Sequence, residues 1–433
     1  MTRSPGSRSR TIRTPSSVTP ELRRPARASV LQSDGYRRLF LSAAAIVFGV
    51  MGQAVARGWL ARDLTGSNAG LGGVMLVFGV AMLVATPWGG VAADRVPKRL
   101  VLLVAVGALT VSSLLLGLAV ITGVVAYWML LVTSGVQAAA FAFYLPARIA
   151  FITDLVAAEQ IPEAITLSQT AQEAMRVIAP ALAGVMIGVS WAGTGGVFLV
   201  AAATSMLAGF VQLGLPRGLP RRRVHRSPVV EMADAVRYVR RTHGLGLIAL
   251  TTVGVVIVGF PYLTFLPALA DERFDVGAGG HGLMSGVAGL GAVAAGVLSP
   301  RWRRMGRRPW LVIAASGFGF GASVVALGLA RTFPVALGVL AVVGATALVF
   351  QTTTMSLMLS LSDLEYHGRL QSMVVLGFSG FGLAALPFGA LADAWSLRWV
   401  LTAMGAVVAL ISVVFAWRHA SARRHPAARV ELA

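Results

Sequence analysis

The chain contains no cysteine and few charged residues for its length. Without cysteine, its 433 residues cannot form disulfides, thiolate nucleophiles or cysteine-ligated metal sites. Charged residues make up 12% of the sequence, roughly half the fraction expected of a soluble protein, whereas 56% of the residues are hydrophobic. This balance argues against a water-soluble globular protein.

The motifs of common enzyme classes are also missing. No glycine-rich phosphate loop of the Walker type is present, and no histidine pair has metal-ligand spacing on a helix. All six histidines lie in predicted loops or tails or at the edge of an apolar run, at His225, His243, His281, His367, His419 and His425. We therefore predict that the chain is not an enzyme and holds no metal or other cofactor.

Apolar runs of roughly 20 residues recur along almost the whole sequence, which is typical of membrane-spanning helices. About twelve such runs are found. They cover residues 39–60, 70–92, 100–121, 124–145, 165–189, 197–215, 245–269, 279–298, 311–330, 335–359, 370–392 and 399–417. The predicted fold is an all-α integral membrane protein with two six-helix bundles.

The domain boundaries follow from these runs. They predict a basic tail (1–38), an N-terminal bundle (39–215), a linker (216–244), a C-terminal bundle (245–417) and a second basic tail (418–433). Within the linker, residues 229–240 alternate apolar and charged side chains. An amphipathic helix on the membrane surface and a disordered segment both fit that pattern.

The net charge of +20 is unevenly placed. Basic residues fill both tails, the linker and every second loop, whereas the alternate loops nearly lack them, and residues 270–281 are net acidic. This is the positive-inside pattern, so we predict a multi-pass protein of the plasma (inner) membrane with both termini cytoplasmic. The same placement argues against nucleic acid as a partner; the lipid bilayer is the expected one, around a monomer.

Residues 90–99, between the second and third runs, read GVAADRVPKR. Charges at this density cannot lie in hydrocarbon, so the turn lies at the water interface. The pattern resembles the loop between helices two and three of major facilitator transporters, where it forms an inter-helix lock that breaks when the transporter changes state. The resemblance implies a gating role for Gly90, Asp94, Arg95, Lys98 and Arg99. A positive-inside loop without a gating role is the alternative, and Pro97 stands where that family usually has glycine.

The fifth run holds Glu173 and Arg176, three positions apart and so on one face of a helix. Ionisable residues inside a membrane are costly and usually line a cavity or pair with each other. We predict that Glu173 carries a coupling proton with Arg176 as its charge partner; a structural ion pair is the alternative. Gln53, Gln137 and Gln172 are predicted to line the same cavity, unless each makes only an interhelical hydrogen bond.

Two further ionisable residues lie near the ends of runs. Arg57 is close to the external end of the first run, so we expect its side chain to snorkel to the interface. Asp154 follows the fourth run on the cytoplasmic side, where it is a candidate partner for the basic residues of the 90–99 turn.

A weak internal repeat links the second and eleventh runs. Residues 87–94 read PWGGVAAD and residues 387–393 read PFGALAD, at corresponding places in the two halves. Internal symmetry of this kind is typical of transporters built from repeated helical units. Coincidence is the alternative, because proline and small residues are common in membrane helices.

Residues 179–184 of the fifth run, APALAG, resemble the fifth-helix Gly-Pro motif of drug-exporting antiporters through Pro180 and Gly184. Two of the motif's three glycines are alanine here. The fourth-helix arginine of proton-coupled drug exporters is also missing, with Leu131 at the expected place.

Short matches between residues 36 and 417 are similar in kind and order to the enterobactin-exporter and macrolide-efflux branch of the superfamily. They include Trp59-Leu60, residues 64–67, residues 146–148 and Gly368-Arg369. The resemblance implies proton-coupled efflux of a small amphiphilic molecule, drug-like or siderophore-like, by alternating access. A nutrient importer on the same fold and, third, a membrane-embedded enzyme are the alternatives.

Overall fold

The computed structural model describes residues 30–189, 192–218, 228–242, 244–304, 308–363 and 366–424, and its regular structure there is entirely helical. Ten helical segments are long and apolar enough to cross a membrane. The all-α membrane class predicted from the apolar runs is thereby confirmed. Two more helices, α5 and α13, are 28 residues long and pack among the ten. The count of twelve spans stays a prediction.

The helices follow one another with short connections. Their bounds are α1 (Asp34–Thr65), α2 (Asn68–Arg95), α3 (Lys98–Ile121), α4 (Tyr127–Leu155), α5 (Ile161–Gly188), α6 (Gly193–Leu213), α7 (Pro228–Arg241), α8 (Leu245–Gly259), α9 (Leu266–Ala268), α10 (Gly277–Arg304), α11 (Pro309–Leu329), α12 (Phe333–Ser360), α13 (His367–Ala394) and α14 (Leu397–Arg424).

The turn between α1 and α2 shows how local sequence sets these boundaries. Gly66 ends α1 in the left-handed region, at φ 61°, and its N–H donates to the carbonyl of Arg62. Glycine reaches this conformation without steric cost. Ser67 then caps α2, its hydroxyl accepting from the N–H of Gly70. A helix stop and a helix start thus stand side by side.

The second half begins with an interrupted helix. Regular α8 gives way to a 3₁₀ turn (Phe260–Phe265), the single turn α9 and a π turn (Leu269–Arg273). Pro261 and Pro267 lie within this stretch, and proline has no N–H for the helical ladder. The sequence pattern had predicted an uninterrupted helix over residues 245–269.

The linker contains the helix α7, so of the two structures that the sequence pattern allowed there, a helix and a disordered segment, the helix is the one observed. On α7, the ring of Tyr238 stacks on that of Tyr366, with centroids 3.8 Å apart. The Tyr238 hydroxyl accepts from the N–H of Asp363 at 2.9 Å and donates to its carboxylate at 3.1 Å. These contacts fasten α7 to the connection between α12 and α13.

The most extensive contacts between the two halves are those of α2 with α13 and of α5 with α10. We call the end of the molecule where α1 ends and α2 begins the acidic face, because Asp271, Glu272 and Asp393 lie there. The opposite end carries the α2–α3 turn with Arg95, Lys98 and Arg99, and we call it the basic face.

Candidate functional site between the two halves

At the acidic face, a carboxylate from one half caps a helix of the other. Asp393, near the end of α13, accepts through Oδ1 from the backbone N–H and the side-chain amide of Asn68, at 2.8 and 2.9 Å. Its Oδ2 accepts from the N–H of Ala69 at 2.8 Å. Both N–H groups belong to the first turn of α2, where the helix lacks internal acceptors and its dipole favours a negative charge.

Arg62, in the last turn of α1, adds ion pairs across the same interface. Its Nη2 lies 2.7 Å from Oε1 of Glu272 and its Nε lies 3.4 Å from Oδ2 of Asp271. The Asn68 amide also donates to Glu272 at 3.3 Å. The acidic-face lock, as we name it, consists of Arg62, Asn68, Asp271, Glu272 and Asp393.

Beneath the lock, glycines allow the backbones of the two halves to touch. Gly184 of α5 lies directly against Gly282 of α10, so close that neither position has room for a Cβ. Gly72 of α2 lies in the same way against the backbone of Ala385 on α13. Close backbone approach through small residues is the usual packing mode of membrane helices.

These close contacts cover only part of each helix. On α5 they run from Gly184 to Val177, which touches Gly289 of α10, and on α2 they reach Gly79, which lies against Gly382 of α13. Both Val177 and Gly79 are near the middle of their helices. Through these glycines the halves are therefore sealed from the acidic face to about mid-depth.

Arg176 lies next to the last of these close contacts on α5. It adjoins Val177 at the edge of the sealed region, and it is exposed in the middle of a 28-residue helix. A charged side chain at that depth usually faces a water-filled cavity. The side chain of Glu173, its predicted partner, lies outside the described residues, as does that of Asp94.

At the basic face, the α2–α3 turn is bound within the first half. Lys98 Nζ lies 2.6 Å from Oδ2 of Asp154 at the end of α4, and Lys98 is only 2% exposed. Arg99 donates to the carbonyl of Leu215 beyond α6 at 3.1 Å. Arg95 is exposed, and a Cβ at Gly90 would meet open space. The structure thus brings Lys98 and Asp154 together.

A polar cluster lies inside the first half, and it contradicts the sequence interpretation of Arg57. The Arg57 side chain does not snorkel, since the residue is 3% exposed and its guanidinium donates to the side-chain carbonyls of Gln137 and Gln53. The Arg57–Gln53 distance is 3.2 Å, and Ser113 of α3 donates to the same Gln53 oxygen at 3.2 Å. Snorkelling was wrong because Gln137, on α4, supplies an acceptor inside the bundle.

Gln172 does not join this cluster. Its amide donates to the carbonyl of Ser168 one turn earlier on the same helix, at 2.9 Å. Pro180 and Gly184 lie instead at the α5–α10 seam, where the carbonyl of Pro180 faces Gly282. Among the described residues, no group of three or more histidines and carboxylates could hold a metal ion.

The acidic-face lock was missed from the sequence, although signals for it exist. Asp393 ends the second copy of the internal repeat, at the place of Asp94 in the first copy. The acidic loop at residues 270–281 had been read only as a topology signal. What the sequence did not indicate is that α13 and α2 end at the same face in direct contact.

Comparison with known proteins identifies the family to which the chain belongs. The family model of the Major Facilitator Superfamily matches residues 39–375. The chain belongs to the major facilitator superfamily. No curated protein sequence matches it. As a member of this superfamily it is a multi-pass membrane transporter, in line with the gating resemblance of residues 90–99.

Solved major facilitator structures share the fold at low sequence identity. A bacterial homologue of the human lysosomal transporter Spinster, in an inward-facing and unoccupied conformation, has a TM-score of 0.72 at 14% identity, covering 90% of this chain and 97% of that one. A POT family transporter in complex with 5-aminolevulinic acid has a TM-score of 0.71 at 13% identity, and the match covers 88% of this chain and 95% of that one. The nucleoside transporter NupG has a TM-score of 0.69 at 13% identity, and the match covers 88% of this chain and 98% of that one. At these identities the likeness shows the fold alone.

Proposed function

We propose that this protein is a secondary active transporter that exports small amphiphilic compounds in exchange for protons. In this proposal, twelve helices span a prokaryotic plasma membrane, both termini are cytoplasmic and the protein acts as a monomer. The basic face is then the cytoplasmic one, because positively charged loops are retained on that side. The acidic face lies outside the cell.

The observation that carries the proposal is the half-depth seal between the two halves. Gly184 against Gly282 and Gly72 against Ala385 join the halves on the side that we assign to the outside, and exposed Arg176 lies next to the last of these contacts on α5. A site sealed from one side and open toward the other is one end state of alternating access. The two bundles would rock about the mid-depth contacts to reach the other state.

The internal repeat supports a matching role for Asp94. Asp393 ends α13 and caps the start of α2 at the closed external face. Asp94 occupies the corresponding place in α2, and α13 begins at His367 on the same, basic, face. In the inward-closed state, Asp94 would cap the start of α13, while Lys98 and Asp154 hold the turn in position.

Coupling to protons is assigned to Glu173. With α5 beginning at Ile161, Glu173 lies twelve residues into the helix, or roughly 18 Å at 1.5 Å per residue. That places it in the half of α5 beyond the glycine seal, on the cytoplasmic side. In this proposal a carboxyl group there exchanges protons with the cytoplasm through a cleft that opens on that side, with Arg176 one helical turn away.

A gradient-collapse experiment tests the function. A susceptibility screen of a deletion strain first identifies compounds whose toxicity rises without the transporter. Cells that express the protein are then loaded with a labelled form of one such compound, and a protonophore collapses the proton gradient. For an exporter, the cellular content of the label rises to the level of the deletion strain.

The same measurement separates the remaining functions. Cellular content that falls on collapse of the gradient identifies an importer. Conversion of the compound by purified protein in detergent, with no gradient, would identify an enzyme. Content that is insensitive to the protonophore in both strains contradicts proton-coupled efflux.

A further inference from the structure

The buried cluster around Arg57 contains a cation without an anion. Among the described residues, the Arg57 guanidinium bonds only to the carbonyl oxygens of Gln53 and Gln137, and no carboxylate lies within ion-pair distance. Gln53 is 1% exposed and Gln137 is 4% exposed. The Arg57 Nε makes no hydrogen bond. The cluster therefore joins a permanent positive charge to neutral partners in a buried position.

Such an arrangement is costly if nothing ever binds there. An arginine keeps its charge in proteins, and a buried charge is normally paired or hydrogen-bonded to a charged group. Gln137 is the glutamine that joins α1 to α4, and a neutral donor at residue 57, such as glutamine, would hydrogen-bond to its carbonyl equally well. Joining the helices therefore does not explain why residue 57 carries a positive charge.

The cluster lies beside the contacts that join α1 to the second half. Arg57 precedes the end of α1 at Thr65 by eight residues, or roughly 12 Å. It stands five positions before Arg62 of the acidic-face lock. The next residue, Gly58, touches the other half, with its Cα region against Pro267 and the ring of His281. Opening the lock therefore parts the contacts beside Arg57.

A second basic side chain comes from the opposite half. His281 of α10 is 4% exposed, and its Nδ1 makes no hydrogen bond among the described residues. Its ring lies against the α1 backbone at Gly58. An anion bound at Arg57 would therefore lie near the interface at which the two halves meet.

We propose that Arg57 is the binding residue for a carboxylate group of the cargo, with Gln53 and Gln137 as its flanking ligands. The inference rests on the proposed efflux function and narrows its substrate class to amphiphilic molecules that carry a carboxylate. The planar guanidinium presents paired N–H donors that match the two oxygens of a carboxylate. In the present closed state the glutamine carbonyls occupy those donors, and the carboxylate displaces them.

Binding of paired probes to the purified full-length protein tests this assignment. The first pair is 4-phenylbutyrate and its neutral amide, 4-phenylbutyramide, with acetate as a small anion that lacks the apolar part. A hydrogen bond between charged groups contributes enough to change affinity by about tenfold or more. We expect the carboxylate to bind at least about tenfold more tightly than the amide, and acetate to bind far more weakly. Acetate binding as tight as that of phenylbutyrate would point to a small-anion site and overturn the proposal.

Substitutions then assign the effect to Arg57. Arg57→Gln should lower the affinity for the carboxylate to that of the amide and leave amide binding unchanged, whereas Arg57→Lys should fall between. Ser112→Ala, which removes a hydroxyl that donates to the carbonyl of Leu109 within α3, should leave the carboxylate-to-amide ratio unchanged. Equal loss of both probes in Arg57→Gln, or no binding of any probe to the wild type, would overturn the assignment.

Gln137→Glu covers the case in which Arg57→Gln does not fold. This variant places a tethered carboxylate beside the guanidinium, so it should melt at a higher temperature and lose carboxylate affinity by about tenfold. Unchanged affinity in this variant contradicts the site. Efflux in the gradient-collapse experiment is measured separately, so that gradient-driven export without Arg57-dependent carboxylate binding refutes this inference alone.

Discussion

Asp393 and Asn68 are 325 positions apart, yet the carboxylate of Asp393 accepts two hydrogen bonds from Asn68 and a third from the neighbouring N–H of Ala69. The two residues belong to opposite halves of the transporter. Asp393 can thus accept from the first turn of α2 only while the acidic face is closed. Opening that face exposes the start of α2, which links helix capping directly to the conformational equilibrium.

We therefore expect Asp393→Asn to favour the state that is open to the outside. Loss of a helix cap costs about 0.5–2 kcal/mol, which corresponds to a roughly 2- to 30-fold shift of the equilibrium. Because the chain has no cysteine, a single Ala181→Cys substitution on α5, opposite Gly286, reports this opening. Its labelling rate with a membrane-impermeant maleimide should rise in Asp393→Asn.

A matched reporter checks that labelling measures the opening. Thr122 lies exposed in the turn after α3, on the same face. Thr122→Cys should label at the same rate with and without the Asp393→Asn substitution. If Ala181→Cys also labels at an unchanged rate, the carboxylate does not contribute to closure.

Gly184→Ala should disturb the closed external state. A methyl group at this position would lie against the α10 backbone at Gly282, in a space that real Cβ atoms do not share. Overpacking of this kind costs roughly 1–3 kcal/mol, and it affects only the state in which α5 and α10 touch. Transport should fall about tenfold. Gly188→Ala on the same helix, where a Cβ meets open space, should transport normally, and equal loss in both variants would refute the steric explanation.

Periodic features of the sequence predicted most of the helices, whereas contacts between distant helices stayed hidden. Apolar runs located the spans because each helix must satisfy its own backbone in lipid. The prolines in the stretch after α8 are visible in the sequence, but the contact of Pro267 with Gly58 of α1 is not.

The candidate site shows the same division. The charge pattern made Asp154 a candidate partner for the basic residues of the 90–99 turn, since both lie at one membrane face, and the structure pairs it with Lys98. Gln53 and Gln137 were named as a polar set, but Arg57 was misplaced because its partner is on another helix. The rotation of α1 and α4 about their axes decides whether such a side chain faces lipid, water or protein, and helix ends do not reveal it.

Lys98→Met should lower the thermal stability of the purified protein. Lys98 pairs with Asp154 from a buried position, and removal of one member of a buried pair costs about 3–5 kcal/mol. Arg37→Ala is the control, because Arg37 pairs with Asp34 at 2.7 Å while both side chains are more than half exposed. Exposed pairs contribute about 0–1 kcal/mol. Equal melting temperatures for the two variants would show that burial does not strengthen the Lys98 pair.

Asp94→Asn tests whether the internal repeat is functional. If Asp94 caps α13 in the inward-closed state, the variant should reach the membrane at normal levels but transport more slowly, because one of the two end states loses its cap. The loss should be on the order of the 2- to 30-fold expected for a helix cap. Full transport activity in Asp94→Asn would contradict the gating role and leave residues 90–99 as a positively charged loop that only sets the topology.

Glu173→Gln separates coupling from conformational change. If the carboxyl group carries the exchanged proton, the variant retains the shape of Glu173 but cannot release or take up a proton. Gradient-driven efflux should then be lost, while exchange of labelled for unlabelled compound across vesicles, which needs no net proton movement, persists. The rate of that exchange should also lose the pH dependence shown by the wild type. Efflux with unaltered pH dependence in Glu173→Gln would instead make Glu173 a structural partner of Arg176.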